Sequence, residues 1–339
     1  MKDFDRFIVR FREFGGVRLV WQYAKMGVLW VGVKEIIRCM VHGRSLKTVY
    51  PRVTKLVDKE LVNKYETELK LLQSASNACY ENENKNLNDN VNLNVNDNLE
   101  PARSAFELPP QGVVWFCWLQ GMEEAPELVK ECLERLRASI GEEVIVLDAR
   151  NYGEYVELPE YVVRKYRKGI IPPALFSDLL RLELLIRYGG TWIDATVWTS
   201  PEVGVKDSKC WMAWKKIRES DLFIYRYFNR EGRVEGMSNW FIHAKDDNAL
   251  LKDVRDMLYA YWRDYNCVVE YYIFHLFFSH AAKRYPEMIR RMPRGNSYHA
   301  LWMAHHAERG ISDADWQKLM ANVPFHKLNY RRVPKVRLN

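Results

Sequence analysis

The sequence has little of what a membrane-spanning, secreted or disulfide-bonded protein needs. In its amino-terminal part the longest uncharged apolar stretch, Met26 to Val33, lies between Lys25 and Lys34. That is far short of the ~20 residues a spanning helix requires, so no spanning segment is expected. Charges interrupt every apolar stretch of the opening MKDFDRFIVRFREF, which predicts no cleavable signal. Cys39, Cys79, Cys117, Cys132, Cys210 and Cys267 form no C-x-x-C pair and no zinc spacing. Several stand in apolar runs, where a free cysteine acts as a small hydrophobe, and the pattern favours a reducing compartment. Charge excess is also missing from most of the chain. Residues 1–75 hold 15 Lys and Arg against 8 Asp and Glu, and the remainder is balanced at 36 against 36. A nucleic-acid partner is not expected, because a basic arm without a matching fold motif is weak support for one.

What the chain does have is apolar and aromatic residues. Hydrophobic residues make up 48% of its 339 positions and aromatic ones 13%, including 12 Trp and 19 Tyr. This is enough to bury a large core, and the rings either fill that core or stack on flat or pyranose ligands. Residues 1–80 read as a basic helical arm in which Phe7, Phe11, Trp21, Trp30 and Ile37 are interleaved with Arg and Lys, and Gly15-Gly16 predicts a break. Two readings stay open: a helix lying on an anionic membrane surface, or a helical hairpin packed on the rest of the protein. Residues 81–100 carry Asn at every even position from Asn82 to Asn98, a composition that predicts a disordered linker or surface loop. Residues 101–339 are then expected to form the main domain.

That domain opens with the β-rich run VVWFCWL. Trp115 and Trp118 are expected on one face of this strand, Trp115 in the core and Trp118 either packed or stacked on a base. Pro126 and the acids around it open a helix whose apolar face is Val129, Cys132, Leu133, Leu136 and Ile140, and Gly141 ends it. Val144 to Leu147 reads as the next strand. Strand, amphipathic helix and strand make a βαβ unit and predict an α/β fold with parallel strands. Ligands of such sheets bind beyond the carboxyl ends of the strands, which points to Trp118, Gln120 and Gly121 as neighbours of a nucleotide.

The most informative block is SDLLRLELLIRYGGTWIDAT, from Ser177 to Thr196. Ser177 is expected to cap an apolar helix that Gly189-Gly190 stop, with Asp178 and Arg181 sharing a face of its first turn. A capping ion pair would explain those two residues without any function. Asp194, however, follows a strand-like, apolar stretch where a carboxylate is costly unless it is paired or bound to a cation. A hard divalent ion bridging the phosphates of a sugar nucleotide would meet that need.

These residues resemble the bacterial capsular polysaccharide synthesis proteins, related to sugar transferases that carry a D-x-D element. The resemblance covers roughly Val113 to Tyr330, through VVWFCWLQG, the block above, SNWFIHAKDDNALLKDVRDMLYAYW and FHKLNYR. It implies a GT-A-like, Rossmann-type mixed sheet flanked by helices, and a retaining, metal-assisted hexosyltransferase, which the cysteine pattern and the basic arm would put at the cytoplasmic face of the plasma membrane. The implied donor is a nucleotide-diphosphate sugar, UDP-linked, and the acceptor a glycan or lipid-linked glycan, with Mn²⁺ or Mg²⁺ as cofactor. Asp194 and Arg181 would be catalytic. Asp178, Arg181, Trp118, Gln120, Gly190, Thr196 and Lys327 would bind the donor, and Asp194, His326 and Asn329 the metal. Thr196 stands where the second Asp of D-x-D belongs. That departure supports a second reading, a catalytically silent nucleotide-sugar- or glycan-binding subunit. His243, His275, His280 and the pair His305-His306 read as structural, and Glu270 could face an acceptor.

Overall fold

The computed structural model describes residues 14–41, 54–71, 112–141, 143–232, 234–306 and 310–331; the Asn-rich tract lies outside them. The strands are β1 (Val114–Cys117), β2 (Val144–Leu147), β3 (Gly190–Asp194), β4 (Val197–Thr199), β5 (Leu222–Phe228), β6 (Val234–Ala244) and β7 (Phe325–Lys327). Of the helices, α1 is Val17–Lys25, α2 Val28–Val41 and α3 54–71, followed by α4 (Glu127–Ile140), α5 (Glu160–Arg167) and α6 (Pro173–Tyr188). Then come α7 (Lys209–Arg218), α8 (Ala249–Asp264) and α9 (Ile273–Ala281). The chain divides into two units, one drawn from Met1–Phe106, Leu158–Phe176 and Asp253–Phe277, the other from Glu107–Glu157, Ser177–Lys252 and Phe278–Asn339.

In the first unit the amino-terminal helices do not stand apart from later sequence. Val57, Leu61, Tyr65 and Leu69 recur every four residues and make one buried face of α3. The Tyr65 ring packs edge-on against Tyr261, Tyr265 and Phe277. The ion pairs Lys64–Asp264 (2.6 Å) and Arg263–Glu68 (2.5 Å) flank it. Lys165 of α5 donates to the carbonyls of Trp262, Arg263 and Tyr265, which the end of α8 leaves without helical partners. Through these pairings the apolar faces of α3 and α8 complete each other.

The helices α1 and α2 bury only Leu19 and Val28 among their residues of described burial and leave the opposite side apolar. Val17 is 81% exposed, Trp21 56% and Trp30 69%, with Ile37 and Val41 also open. Arg18, Lys25, Lys34 and Arg38 are exposed among them, and the Lys25 ammonium lies 3.5 Å from the centre of the Trp21 ring. No described helix is long and apolar enough to cross a membrane.

The second unit is built on a five-stranded mixed sheet ordered β2-β1-β3-β6-β5. β1 runs parallel to β2 and to β3, and β6 is antiparallel to both β3 and β5. The chain goes from β1 to β2 on one side, then returns to β3 on the other, so a crevice opens at the carboxyl ends of β1 and β3. The expected strand, helix and strand all form, and Gly141 ends α4 in the left-handed conformation at φ 65°. One sheet face packs Val114, Phe116 and Ile193 with Val129, Leu133 and Leu136 of α4 and Trp214 of α7. The mixed α/β class, a central mixed sheet flanked by helices, is as expected.

Two local expectations are corrected. Trp115 and Trp118 lie on opposite faces, because side chains alternate along a strand and three steps reverse the face. Trp115 packs on Tyr155 and Tyr188, and its indole N–H donates to the Gly189 carbonyl at 3.0 Å. Trp118 belongs with Val114 and Phe116. The second correction concerns Ser177, which is inside α6 and is not its cap. The helix begins at Pro173, where a fixed φ and a missing N–H suit the first turn.

Gly190 carries a structural duty at the head of β3. Its φ is +89°, and a Cβ there would sit 2.3 Å from the Val113 carbonyl oxygen. Gly190→Ala is therefore expected to cost on the order of 2 kcal/mol or more. Urea denaturation should show a lowered midpoint with an unchanged slope.

Candidate functional site

The site is assembled at the carboxyl end of β3. Residues two apart on a strand share a face, so Trp192 and Asp194 point the same way, and the Trp192 indole N–H donates to Asp194 Oδ1 at 2.9 Å. From α6, Arg181 brings Nη2 to 3.4 Å from the same oxygen and lays its guanidinium carbon 4.8 Å from the centre of the Trp192 ring. The other carboxylate oxygen, Oδ2, accepts from Lys327 Nζ at 3.0 Å, and that ammonium also donates to Thr196 Oγ1 at 2.6 Å. Lys327 arrives from 131 residues away because β4 pairs antiparallel with β7, Val197 opposite Lys327, and the Leu328 N–H closes on the Thr196 carbonyl.

Arg181 is almost wholly enclosed, with 4% of its side chain exposed. It donates to the Ser177 carbonyl and hydroxyl, each at 3.2 Å, and to the Asn239 carbonyl. It also pairs with Asp178 at 3.2 Å, and Asn239 Nδ2 donates to Asp178 Oδ1 at 2.8 Å. Asn239 was not among the residues expected from the sequence. Its part depends on an irregularity in β6, where Ile224 faces Ile242 but the next residue, Tyr225, faces Ser238. Such a break frees a backbone carbonyl from the ladder and re-aims it.

Burial and charge act oppositely on the two acids. Burial pushes the Asp178 carboxyl up to about 7, with Arg181 resisting and Asp194 reinforcing the rise. Burial also raises Asp194, but Lys327, Arg181 and the Trp192 N–H together outweigh it and hold this carboxyl below its usual range. Asp194 is thus the standing anion of the cluster. With 26% of its side chain and 21% of that of Lys327 open, the pair is the reachable part of the site.

The remaining expected site residues separate into near and far. Trp118 directly follows β1 and meets the Tyr330 ring edge-on at 5.4 Å; its buried indole N–H has no hydrogen-bond partner among the described residues. Gln120 is exposed in the turn that follows. Gly190 opens the strand that Asp194 closes, about 13 Å away at 3.3 Å per residue, and its close approach to Val113 serves the sheet. His326 alternates to the face of β7 opposite Lys327 and is fully buried, with its pKa pushed down by burial to about 3. The Val323 backbone opposes that fall, and neither ring nitrogen has a hydrogen-bond partner among the described residues. Asn329 is exposed and accepts from the Arg331 N–H at 3.0 Å.

The other acids and imidazoles fall outside this cluster. His243 bonds Thr191 at 2.8 Å and is held neutral by burial at about 4, as a structural imidazole should be. His306 stacks on Trp302. Glu270 is buried in the first unit, where it accepts from the Tyr272 N–H at 2.7 Å.

This donor set does not suit a divalent ion. Both Asp194 oxygens are engaged by N–H donors, Thr196 offers a neutral hydroxyl already bonded to an ammonium, His326 lies on the opposite face of β7, and Asn329 accepts from the Arg331 N–H. Among the described residues no three His, Cys, Asp or Glu gather as a metal site. A small hard cation is commonly held by one or two carboxylates together with waters and substrate phosphates, and the one carboxylate here is already faced by two cations, Lys327 and Arg181.

Sheet and cluster together define an α/β protein of the type that takes its ligand in the crevice beyond parallel strand ends. Residues 67–337 match the capsular polysaccharide synthesis protein family, and the chain belongs to that family. No curated protein matches it. Among solved structures it is similar to the PaToxG glycosyltransferase at 12% identity and a TM-score of 0.34, covering 66% of this chain and 87% of that one. It is also similar to the catalytic domain of alpha-toxin from Clostridium novyi at 10% identity and a TM-score of 0.32, covering 72% and 74% of the two chains. Scores so low carry no argument, and the functional reading rests on the family and the site.

The buried Asp178 carboxyl has a pH signature. Its raised folded-state pKa makes its contribution to stability greatest below the unfolded value near 3.8, and that contribution is lost as pH rises through about 7. Asp178→Asn lacks this titration. The thermal midpoint of the variant minus that of the wild type should therefore climb between pH 4 and 8, and a difference independent of pH would count against a proton on Asp178.

Proposed function

We propose that this protein is a glycosyltransferase that moves a sugar from a nucleotide-diphosphate donor, UDP-linked in the first instance, onto a glycan or lipid-linked glycan of a growing surface polysaccharide. The observation that carries the reading is the Asp194–Lys327–Thr196 cluster at the carboxyl end of β3, in which Asp194 and Lys327 are partly open to solvent. Capsule synthesis requires glycosidic bonds made from activated sugars, and a diphosphate leaving group needs positive charge held where its negative charge grows. In the transfer, the bond between the anomeric carbon and the β-phosphate oxygen breaks with its electron pair going to that oxygen. The acceptor hydroxyl oxygen bonds the anomeric carbon and its proton passes to solvent. Retention of anomeric configuration is the outcome we take from the family resemblance.

The roles divide by accessibility. Lys327 and Asp194 are the groups that meet the donor. Arg181 and Asp178, enclosed by protein contacts, position Asp194 through the Trp192 face. Trp118, directly after β1 and with an indole N–H that has no partner among the described residues, is a wall for the base or the sugar. Asp194→Asn should reduce transfer by ~10²–10³-fold per folded molecule, as removal of preorganised charge does. Arg181→Lys should lower turnover on the order of tenfold to a hundredfold, since a point charge does not reproduce the planar fork that orients the carboxylate. Donor turnover and thermal midpoint measured on the same preparations decide the matter. Folded variants with full activity would overturn the reading, whereas tight UDP binding without turnover in the wild type would favour the silent subunit.

The exposed Val17, Trp21, Trp30 and Ile37, set among Arg18, Lys25, Lys34 and Arg38, support working attachment to an anionic membrane surface, which we place at the cytoplasmic face of the plasma membrane. Sedimentation with anionic liposomes should weaken as salt rises, and in Trp21→Ala/Trp30→Ala protein. Indifference to such liposomes at low salt would remove this part of the proposal.

A further inference from the structure

We propose that the Lys327 ammonium takes the place of the divalent cation in this site, so that donor binding and diphosphate departure run without metal. The inference rests on the donor reading given above and deepens it. Its basis is position: Nζ bridges Asp194 Oδ2 and Thr196 Oγ1, the first and third residues of the Asp194-Ala195-Thr196 element. In the related D-x-D element these two positions would be the carboxylates around an ion. Here one is a neutral hydroxyl, and the gap between them holds a fixed positive charge.

Charge balance favours the same arrangement. Asp194 already faces two cations, Lys327 and Arg181, and the burial-raised pKa of Asp178 means that it supplies only part of a negative charge near neutral pH. A dication entering this neighbourhood would be repelled by both and offered one carboxylate whose oxygens are engaged. A diphosphate would be attracted by both. An ammonium has three N–H donors, and among the described residues Lys327 uses two, on Asp194 and Thr196, leaving one for a phosphate oxygen. The backbone holds the lysine in register: Val197 stands opposite Lys327 in the β4–β7 pair, and the Leu328 N–H bonds the Thr196 carbonyl at 2.9 Å. The positive charge is therefore part of the fold and does not have to be recruited from solution.

The test is calorimetric titration of the full-length protein with UDP, and with other nucleoside diphosphates in parallel, in excess EDTA and in excess Mn²⁺. The expected Kd values agree within about twofold between the two conditions. Lys327→Met should weaken binding about tenfold or more in both, as loss of a charge-assisted hydrogen bond does. Lys327→Arg keeps the cation and should retain much of the affinity, which guards against a folding defect in the Met variant. Electron paramagnetic resonance of Mn²⁺ mixed with the wild type should show the free-ion signal undiminished. Binding of UDP that appears only with Mn²⁺, stoichiometric loss of the free Mn²⁺ signal, or unchanged affinity in a folded Lys327→Met protein would each overturn the inference while leaving a sugar-nucleotide enzyme in place. Failure of every nucleoside diphosphate to bind in either condition would instead overturn the donor reading, and this inference with it.

Discussion

A single carboxylate organises the site. Asp194 ends a central strand in a largely apolar setting, where an unpaired charge would be costly, and it remains ionised because Lys327, Arg181 and the Trp192 indole converge on it. Each partner comes from a different part of the second unit. Arg181 ties the strand to α6, Lys327 ties it to the β4–β7 ribbon, and Trp192 lies along β3 itself. Arg181 in turn depends on Asn239, whose carbonyl the irregularity in β6 makes available. Removing one partner from such a group exposes the others to uncompensated burial, so the cluster holds together as a unit.

The same arrangement separates enclosed charges from accessible ones. Asp178 and Arg181 are enclosed and mostly satisfied within the protein; Asp194 and Lys327 each keep an edge toward solvent. A diphosphate reaching this edge meets a cation already desolvated on one side and oriented by two hydrogen bonds. Groups held in that way need little reorganisation as charge develops on a leaving group, which is where preorganised sites gain most over water. The burial of Arg181 also explains why it makes no direct contact with the open edge, although it stands next to Asp194 in the cluster.

The sequence alone was sufficient for the α/β class, the first strand, α4 and β2, because these depend on local period and capping residues, and it singled out Asp178, Arg181 and Asp194, which the fold brings into one cluster. It also marked Thr196 as a departure from a two-carboxylate element. It was misleading at Ser177, where Pro173 was the stronger start signal, and it did not reveal that Gly190 must leave room for the backbone of Val113. His326 looked like a ligand only while its strand was unknown. Once β7 is paired with β4, alternation sends His326 into the interior and Lys327 toward Asp194.

Tertiary structure decided everything that required distant residues to meet. The Lys327 bridge between Asp194 and Thr196, the Asn239 contacts with Asp178 and Arg181, and the pairing of α3 with α8 join positions 58 to 199 residues apart. No local pattern encodes such contacts, since strand register and ladder irregularities are settled by packing across the whole sheet. The residue types were legible from the sequence because their cost is local; which cation would neutralise Asp194 was not, because that depends on which strand arrives beside it.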